Sequence, residues 1–279
     1  MEHYQSGIGR NLKMVSKWAP RNHKKELQTT SMAESRSRSS SLSSIDASDF
    51  KFPNDLVAPR ENLEPGRVTT TTLDGTLTKA PLQLIEDLTK GCGGQLWPAG
   101  VRLAKYFINR YKDTNDLARK RIIELGSGGG VTGLAIGLEL DTIGGDVEKG
   151  GCEFWMTDMH AMMDLMQKNV EFNGLGSKIE CGLLDWADPL PDFVTRAPVD
   201  ILLAADCVYF EPAFPLLEKT LCDIAGPDTE VIFCFKKRRK ADMRFIKSIR
   251  KHFVMTEIKD EGFEGYTRES IYLYSMKKK

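Results

Sequence analysis

The chain has 279 residues, 41% of them hydrophobic and 28% charged, with 39 Lys+Arg balanced by 39 Asp+Glu. These proportions suit a globular protein of one large or two small domains and exclude a chain disordered throughout. No run of about 18 apolar residues occurs and no apolar stretch follows the first basic residues, so neither a transmembrane helix nor a secretory signal is expected.

The N-terminal stretch is unlike the rest. Residues 1–44 carry eight Lys/Arg against Glu2, Glu26 and Glu34, a net +5 that leaves −5 for residues 45–279. A mildly acidic body lacks the basic footprint of a general nucleic-acid binder, so direct nucleic-acid binding is not expected. Ser35–Ser44 (SRSRSSSLSS) cannot bury a core, and residues 1–50 read as a disordered tail. A phosphorylated segment or an Arg/Ser-rich transit peptide are the sharper alternatives.

Arg67–Lys79 is Thr-rich around Asp74-Gly75, a hairpin signal. Gly91–Gly100 (GCGGQLWPAG) leads into a helix, with Pro98 in its first turn and Val101, Leu103, Ala104, Phe107, Ile108 and Tyr111 at helical spacing. Strands then alternate with helices. Strands are expected at Arg121–Leu125, Cys152–Thr157, Ile179–Leu184, Val199–Ala205, Glu230–Phe235, Val254–Asp260 and Ser270–Met276. The expected helices are Val131–Leu140, Met163–Asn173, Phe214–Ala225 and Ala241–His252. The segment 141–151, rich in glycine, reads as a flexible insertion. Such alternation implies an α/β fold, doubly wound, with helices on both faces of a seven-stranded, mostly parallel sheet. The loop Glu261–Glu269 is too short for a parallel crossover, so the last strand should run antiparallel.

The six cysteines have no C-x-x-C spacing, and the closest pair is 12 residues apart. With four scattered histidines, no metal site is expected. Unpaired thiols fit a reducing compartment.

In an open α/β sheet, ligands bind beyond the carboxyl ends of the strands. After the first strand of the sheet come Glu124 and the glycine run Gly126-Ser127-Gly128-Gly129-Gly130. The spacing is G-x-G-x-G, since Val131 stands where the dinucleotide fingerprint would place its third glycine, and this favours a nucleoside or amino-acid moiety over a pyrophosphate. A glycine-rich turn with no ligand is the competing reading. Asp158 follows the second strand, where an acidic residue accepts ribose hydroxyls, unless it only caps a helix. Asp185-Trp186 follow the third strand and suit an adenine, or else form a turn beside a buried indole. Ala205, Asp206 and Tyr209 follow the fourth. The run Lys236–Lys240 (KKRRK) is either a solvated face or a steering patch for an acidic partner.

ELGSGGG at 124–130, Thr157-Asp158, Asp185-Trp186 and DCVY at 206–209 together resemble the seven-β-strand, S-adenosylmethionine-dependent methyltransferases, a Rossmann-like fold. LWPAG at 96–100 and the D-x-x-Y resemble the methyltransferase-like protein-lysine methyltransferases. Ala204–Leu221 (AADCVYFEPAFPLLEKTL) is similar to the fungal branch that methylates a lysine of translation elongation factor 1-alpha. The resemblance implies a domain over 51–279 with an N-terminal hairpin and helix extension. It implies S-adenosyl-L-methionine as cofactor, a protein substrate and a cytoplasmic enzyme, expected to act as a monomer. Trp97 would close over the cofactor, and Glu124, Gly126, Ser127, Gly128 and Gly130 would lie at its methionine end. Asp158 would take the ribose, and Asp185 and Trp186 the adenine. Ala205 would line the floor. Asp206 and Tyr209 would be catalytic, Asp206 orienting the amine or passing its proton to water, and Phe210 or Phe235 would add to the wall for the lysine stem. Gly129 stands where such loops often carry a Thr, which implies a looser loop. A small-molecule methyltransferase on the same fold and a non-catalytic cofactor-binding module are the rival readings, with a dehydrogenase further off.

Overall fold

The computed structural model describes residues 65–89, 91–144 and 151–279. The expected tail over 1–50 and residues 145–150 of the expected insertion lie outside the described residues. A seven-stranded sheet runs in the order β5-β4-β3-β6-β7-β9-β8. Its strands are β3 (Arg121–Leu125), β4 (Glu153–Asp158), β5 (Glu180–Leu183), β6 (Ile201–Ala205), β7 (Glu230–Lys236), β8 (Phe253–Glu257) and β9 (Ile271–Lys278). The first five pair in parallel, and β9 runs antiparallel to both β7 and β8. The expected Rossmann-like topology is present. The connection before β9 holds a short helix, α7 (Phe263–Arg268), where only a loop was expected.

The strand residues explain why the sheet is covered on both faces. Ile122, Ile201, Leu203, Ile232 and Cys234 enter one core with α1 (Pro98–Tyr111), α2 (Val131–Glu139) and α3 (His160–Phe172). Their neighbours Ile123, Leu125, Leu202, Ala204, Val231 and Phe233 enter a second core with Val194 of the short α4 (Asp192–Thr195), α5 (Phe214–Ile224) and α6 (Lys240–Ile249). Successive side chains of a strand point to opposite faces, so uninterrupted apolar runs are what a two-sided sheet requires. Inside α1 the fully buried Arg102 is neutralised by Asp260 at 2.5 Å and donates to the Ile271 carbonyl. It ties α1 to the last two strands.

The hairpin differs from expectation in width. β1 (Arg67–Thr71) pairs antiparallel with β2 (Leu82–Glu86), so the second strand begins beyond Lys79. Leu73, Asp74 and Gly75 all have positive φ, but they form only part of a long connection. The reason is packing: Leu73 and Leu77 sink into the first core. Glu139, at the end of α2, accepts the Lys79 N–H at 3.0 Å, the Thr78 hydroxyl at 2.8 Å and the Thr78 N–H. A two-residue turn would keep both leucines out of the core and take the Thr78 and Lys79 donors away from that carboxylate.

Asn169 of α3 joins the hairpin to the sheet. It accepts the Ile85 N–H at 2.8 Å, and its Nδ2 donates to the Ile85 carbonyl (3.1 Å) and the Gly129 carbonyl (2.9 Å). The hairpin is thereby anchored to the loop that follows β3. The sheet order reverses between β3 and β6, and the crevice at their carboxyl ends is where such folds bind ligands.

Burial works to raise the Glu139 pKa, but the Lys79 and Thr78 donors and the Thr142 hydroxyl outweigh it, and the carboxyl sits below its usual range. Hydrogen bonds to a charged group contribute about 1.5–3 kcal/mol, so Glu139→Ala is expected to cost about 2–4 kcal/mol. Thermal melting should fall by roughly 5–10 °C. A shift within about 1 °C would show that the hairpin docks without this anchor.

Candidate active site

Gly126, Gly128 and Gly130 all lie at positive φ, +61°, +57° and +93°. That left-handed region is where glycine is favoured. Space adds a second requirement. A Cβ at Gly128 would stand 2.4 Å from the Gly93 carbonyl oxygen, and one at Gly126 would stand 3.0 Å from Cys207 Sγ and 3.1 Å from the Trp186 ring. Gly129 differs, because a Cβ there meets nothing nearer than 3.7 Å. The looser loop expected from its bareness is offset by hydrogen bonds. The Gly129 N–H donates to Gly93 at 2.9 Å, its carbonyl accepts from Asn169, and the Ser127 N–H donates to Thr157 at 3.0 Å.

Carboxylates surround this loop. Glu124 is 2% exposed, yet its Oε2 has no hydrogen-bond partner among the described residues. Burial pushes its pKa up to about 7, against the pull of Ser127, Thr132 and the Gly133 N–H, with Asp158 adding to the rise. Asp158 ends β4 and caps nothing by its side chain in the helix that follows. It accepts the Gly128 and Met159 N–H groups at 2.7 Å each. Burial again dominates and lifts it to about 6, with the Asp185 charge contributing. Asp185 receives the Ala187 N–H at 2.9 Å in a turn, and Trp186 packs over Gly126.

Glu124, Gly126, Ser127, Gly128, Asp158, Asp185, Trp186, Ala205, Asp206, Tyr209 and Trp97 all line one pocket. Gly130 does not: it starts α2 as its N-cap and packs toward Met156. Asp206 follows β6 at φ +56°, an uncommon backbone for a non-glycine residue but one that Asp tolerates. Its N–H donates to Cys234 at 2.8 Å. The Tyr209 phenol hydrogen-bonds with Cys92, and burial holds it well above its ordinary pKa, so it remains protonated. The Trp97 indole N–H donates to the Cys92 carbonyl at 2.9 Å.

Two expectations are corrected. Phe235 is fully buried in the second core, against Phe233, Tyr272 and Tyr274, and is not a pocket residue, whereas Phe210 is. The reason is strand parity: Phe235 points to the same face as Phe233. The basic run is also not uniformly solvated. Lys237 and Lys240 are exposed, but Arg238 turns inward onto Asp206 and Arg239 donates to the Tyr209 carbonyl. Asp242, fully buried in α6, holds that turn by accepting both the Arg238 and Arg239 N–H groups at 2.8 Å.

Residues the sequence reading passed over are Cys92, Gly93, Gln95, Thr132 and Arg238, which share the pocket wall. GCGG beside LWPAG was a usable signal for the first three, because a glycine cluster permits close backbone approach. Arg238 carried no such signal inside a run of like charges.

Glu124 and Asp158 both bind protons more tightly folded than unfolded, where carboxyls titrate near pH 4. Their contribution to stability is complete at low pH and is lost as pH rises through about 6 and about 7. Glu124→Gln should flatten the loss of stability between about pH 4.5 and about pH 7 in thermal melts. An unchanged slope would mean that Glu124 titrates normally.

A lysine methyltransferase family model matches residues 76–252. Protein-lysine N-methyltransferase EFM6 of Saccharomyces cerevisiae is 36% identical over 245 residues, covering 81% of this chain and 96% of that protein. Protein N-lysine methyltransferase METTL21A of Danio rerio is 30% identical, covering 73% of this chain and 89% of that one. EEF1A lysine methyltransferase 3 of Mus musculus is 31% identical, covering 58% of this chain and 65% of the mouse protein. Given the family match over most of the ordered sheet and a relative this similar along nearly its whole length, the chain belongs to the lysine methyltransferase family and is an S-adenosylmethionine-dependent protein-lysine N-methyltransferase.

Proposed function

We propose that this methyltransferase modifies a lysine of translation elongation factor 1-alpha, with residues 51–279 as the catalytic domain. On this reading it works in the cytoplasm as a monomer, with no direct contact to nucleic acid or membrane. Relatives from Mus musculus and Xenopus tropicalis that carry the name EEF1A lysine methyltransferase 3 support the target. Among the described residues no helix is long and apolar enough to cross a membrane.

One observation carries the site assignment: the glycine loop with Glu124 and Asp158, and Asp206 with Tyr209, line the same pocket. The residues suit a cationic donor. Glu124 Oε2 is a buried acceptor with no partner, as an ammonium group would require. Asp158 and Asp185 offer carboxylates for ribose hydroxyls and an adenine amine, and Trp186 offers a ring face. A side chain at Gly126 or Gly128 would press on Cys207 and Trp186 or on the Gly93 carbonyl, all of them in the pocket wall or its backbone. Gly130 serves the loop's conformation. Bound there, S-adenosylmethionine would supply a sulfonium-borne methyl group whose carbon a neutral lysine amine attacks, the N–C bond forming as the C–S bond breaks and the neutral thioether departs.

The chain's own task is orientation and desolvation. Tyr209, Phe210 and Leu216 wall a partly apolar slot that strips water from an entering lysine stem. Loss of water disfavours the ammonium form, whose pKa in water is about 10.4. Asp206, at the floor of the slot, accepts an N–H of the amine and aims its lone pair, and aligning reactants in this way is a large part of the rate. The Tyr209 ring face favours the cationic methylated product.

The test is transfer of a tritiated methyl group to purified elongation factor 1-alpha, followed by mass spectrometry of the labelled peptide. Wild type should label a lysine of that protein. Gly128→Arg should abolish donor binding in calorimetry. Asp206→Asn, which keeps the side chain's shape and tolerates positive φ, should lose transfer by ~100-fold or more with donor affinity nearly unchanged. Label on other proteins but not on the elongation factor would overturn the target, and full activity of Asp206→Asn would remove that residue from the mechanism.

A further inference from the structure

We propose that Arg238 is a positioning residue for methyl transfer: its guanidinium sets the plane and charge of Asp206 and leaves that carboxylate one acceptor site for the incoming amine. The inference rests on Asp206 serving the amine, as argued above.

The two side chains meet fork to fork. Arg238 Nη1 donates to Asp206 Oδ1 and Nη2 to Oδ2, both at 2.8 Å. The Lys236 N–H takes a third acceptor position, on Oδ1 at 3.1 Å. A carboxylate offers about four such positions, so about one remains. Arg238 is itself fixed from several sides. Its backbone N–H is held by Asp242, its Nη1 also donates to the Lys236 carbonyl at 3.2 Å, and its guanidinium lies 5.1 Å from the Trp97 ring centroid. A planar, delocalised cation is needed for the bidentate contact and the stacking together, and lysine cannot reproduce it.

A second role for such a pair would be a gate, with Arg238 occupying the place of the substrate cation and leaving when lysine arrives. The Asp206 side chain is 3% exposed and that of Arg238 is 16% exposed. Withdrawing Arg238 would strand a buried charge and forfeit the indole contact, which is strongly unfavourable. Arg238 therefore stays and acts through Asp206. The consequence is chemical. With both oxygens already accepting from Arg238 and Oδ1 also from the Lys236 N–H, Asp206 is left to orient the amine, and the ammonium proton leaves to water before the methyl group moves. Other charged or titratable groups around the pair are Cys207 and Cys234 beside Asp206, with Glu124 and Asp158 facing Cys207, and Asp242 and Cys92 facing Arg238.

Arg238→Gln, Arg238→Lys, Asp206→Asn and the double variant Arg238→Gln/Asp206→Asn in the full chain test this. Donor affinity by calorimetry serves as the check on folding. Arg238→Gln should lower kcat by ~100-fold, the effect expected of a misplaced catalytic group, with the donor dissociation constant within about twofold. The KM for the protein substrate should stay within about threefold, because Asp206 orients the amine after the substrate is captured. Arg238→Lys, a point charge without the planar fork, should restore only part of the rate. In the Asp206→Asn background, Arg238→Gln should cost less than about threefold more, since both changes act through one group. If Arg238→Gln keeps wild-type kcat while Asp206→Asn is inactive, the role of Arg238 is refuted and that of Asp206 stands. If Asp206→Asn is fully active, the underlying reading fails. An equal loss from Arg238→Gln in both backgrounds also refutes positioning through Asp206. Should Arg238→Gln lose donor binding, Arg238→Lys decides by the same split of kcat and KM: full rate, or a raised KM with kcat unchanged, counts against the proposal.

Discussion

The Gly93 carbonyl stands where a side chain on Gly128 would be, and it accepts the Gly129 N–H. That backbone-to-backbone approach joins two segments far apart in the chain, and most of the site follows from it. It brings Cys92 and Trp97 over the crevice, because Cys92 lies in the Gly91–Gly94 turn and Trp97 follows it. It makes Gly128 obligatory for space as well as for φ. Asn169 closes the arrangement from the other side, spending its buried amide on Ile85 and Gly129. A buried amide with every group satisfied rigidifies what it touches.

Charge is arranged as deliberately as space. The end of the pocket at β3 and β4 holds carboxyls that burial pushes toward neutrality, Glu124 and Asp158. They are strained as ions when alone and become favourable when a cation arrives. The end at β6 is built in the opposite way, since Asp206 already has its cation in Arg238. One pocket therefore contains an acidic half suited to a charged donor and a neutralised half suited to an uncharged amine. That division matches a reaction in which a sulfonium must be held and a lysine must give up its proton.

The sheet could be read from the sequence because its signals are local and redundant. Ile122 and Ile123 or Val231–Phe235 are apolar on both faces, and the glycine run sits between a strand and a helix, so each expectation had a second cue. Asp158, Asp185, Trp186 and Asp206 were singled out by the rule that ligands bind beyond the strand ends, which needs only the strand boundaries, and they line one pocket. What was missed depended on distant partners. The width of the hairpin is set by Leu73, Leu77 and Glu139, and no turn signal contains Glu139. Arg238 is hidden within KKRRK because composition cannot tell which of five cations turns inward. The buried Asp242, four residues on, makes that choice. Phe235 was misassigned by a single step of strand parity.

On this reading the bare loop after β3 and the partnerless Glu124 Oε2 form the seat of the methyl donor. A crystal structure of the full chain with S-adenosylhomocysteine tests it most directly. The ligand's amino group is expected within hydrogen-bond reach of Glu124 Oε2, its ribose hydroxyls on Asp158, its base beside Trp186 and its sulfur turned toward Asp206. A ligand bound elsewhere, or one bound there with Glu124 Oε2 still lacking a partner, would contradict it.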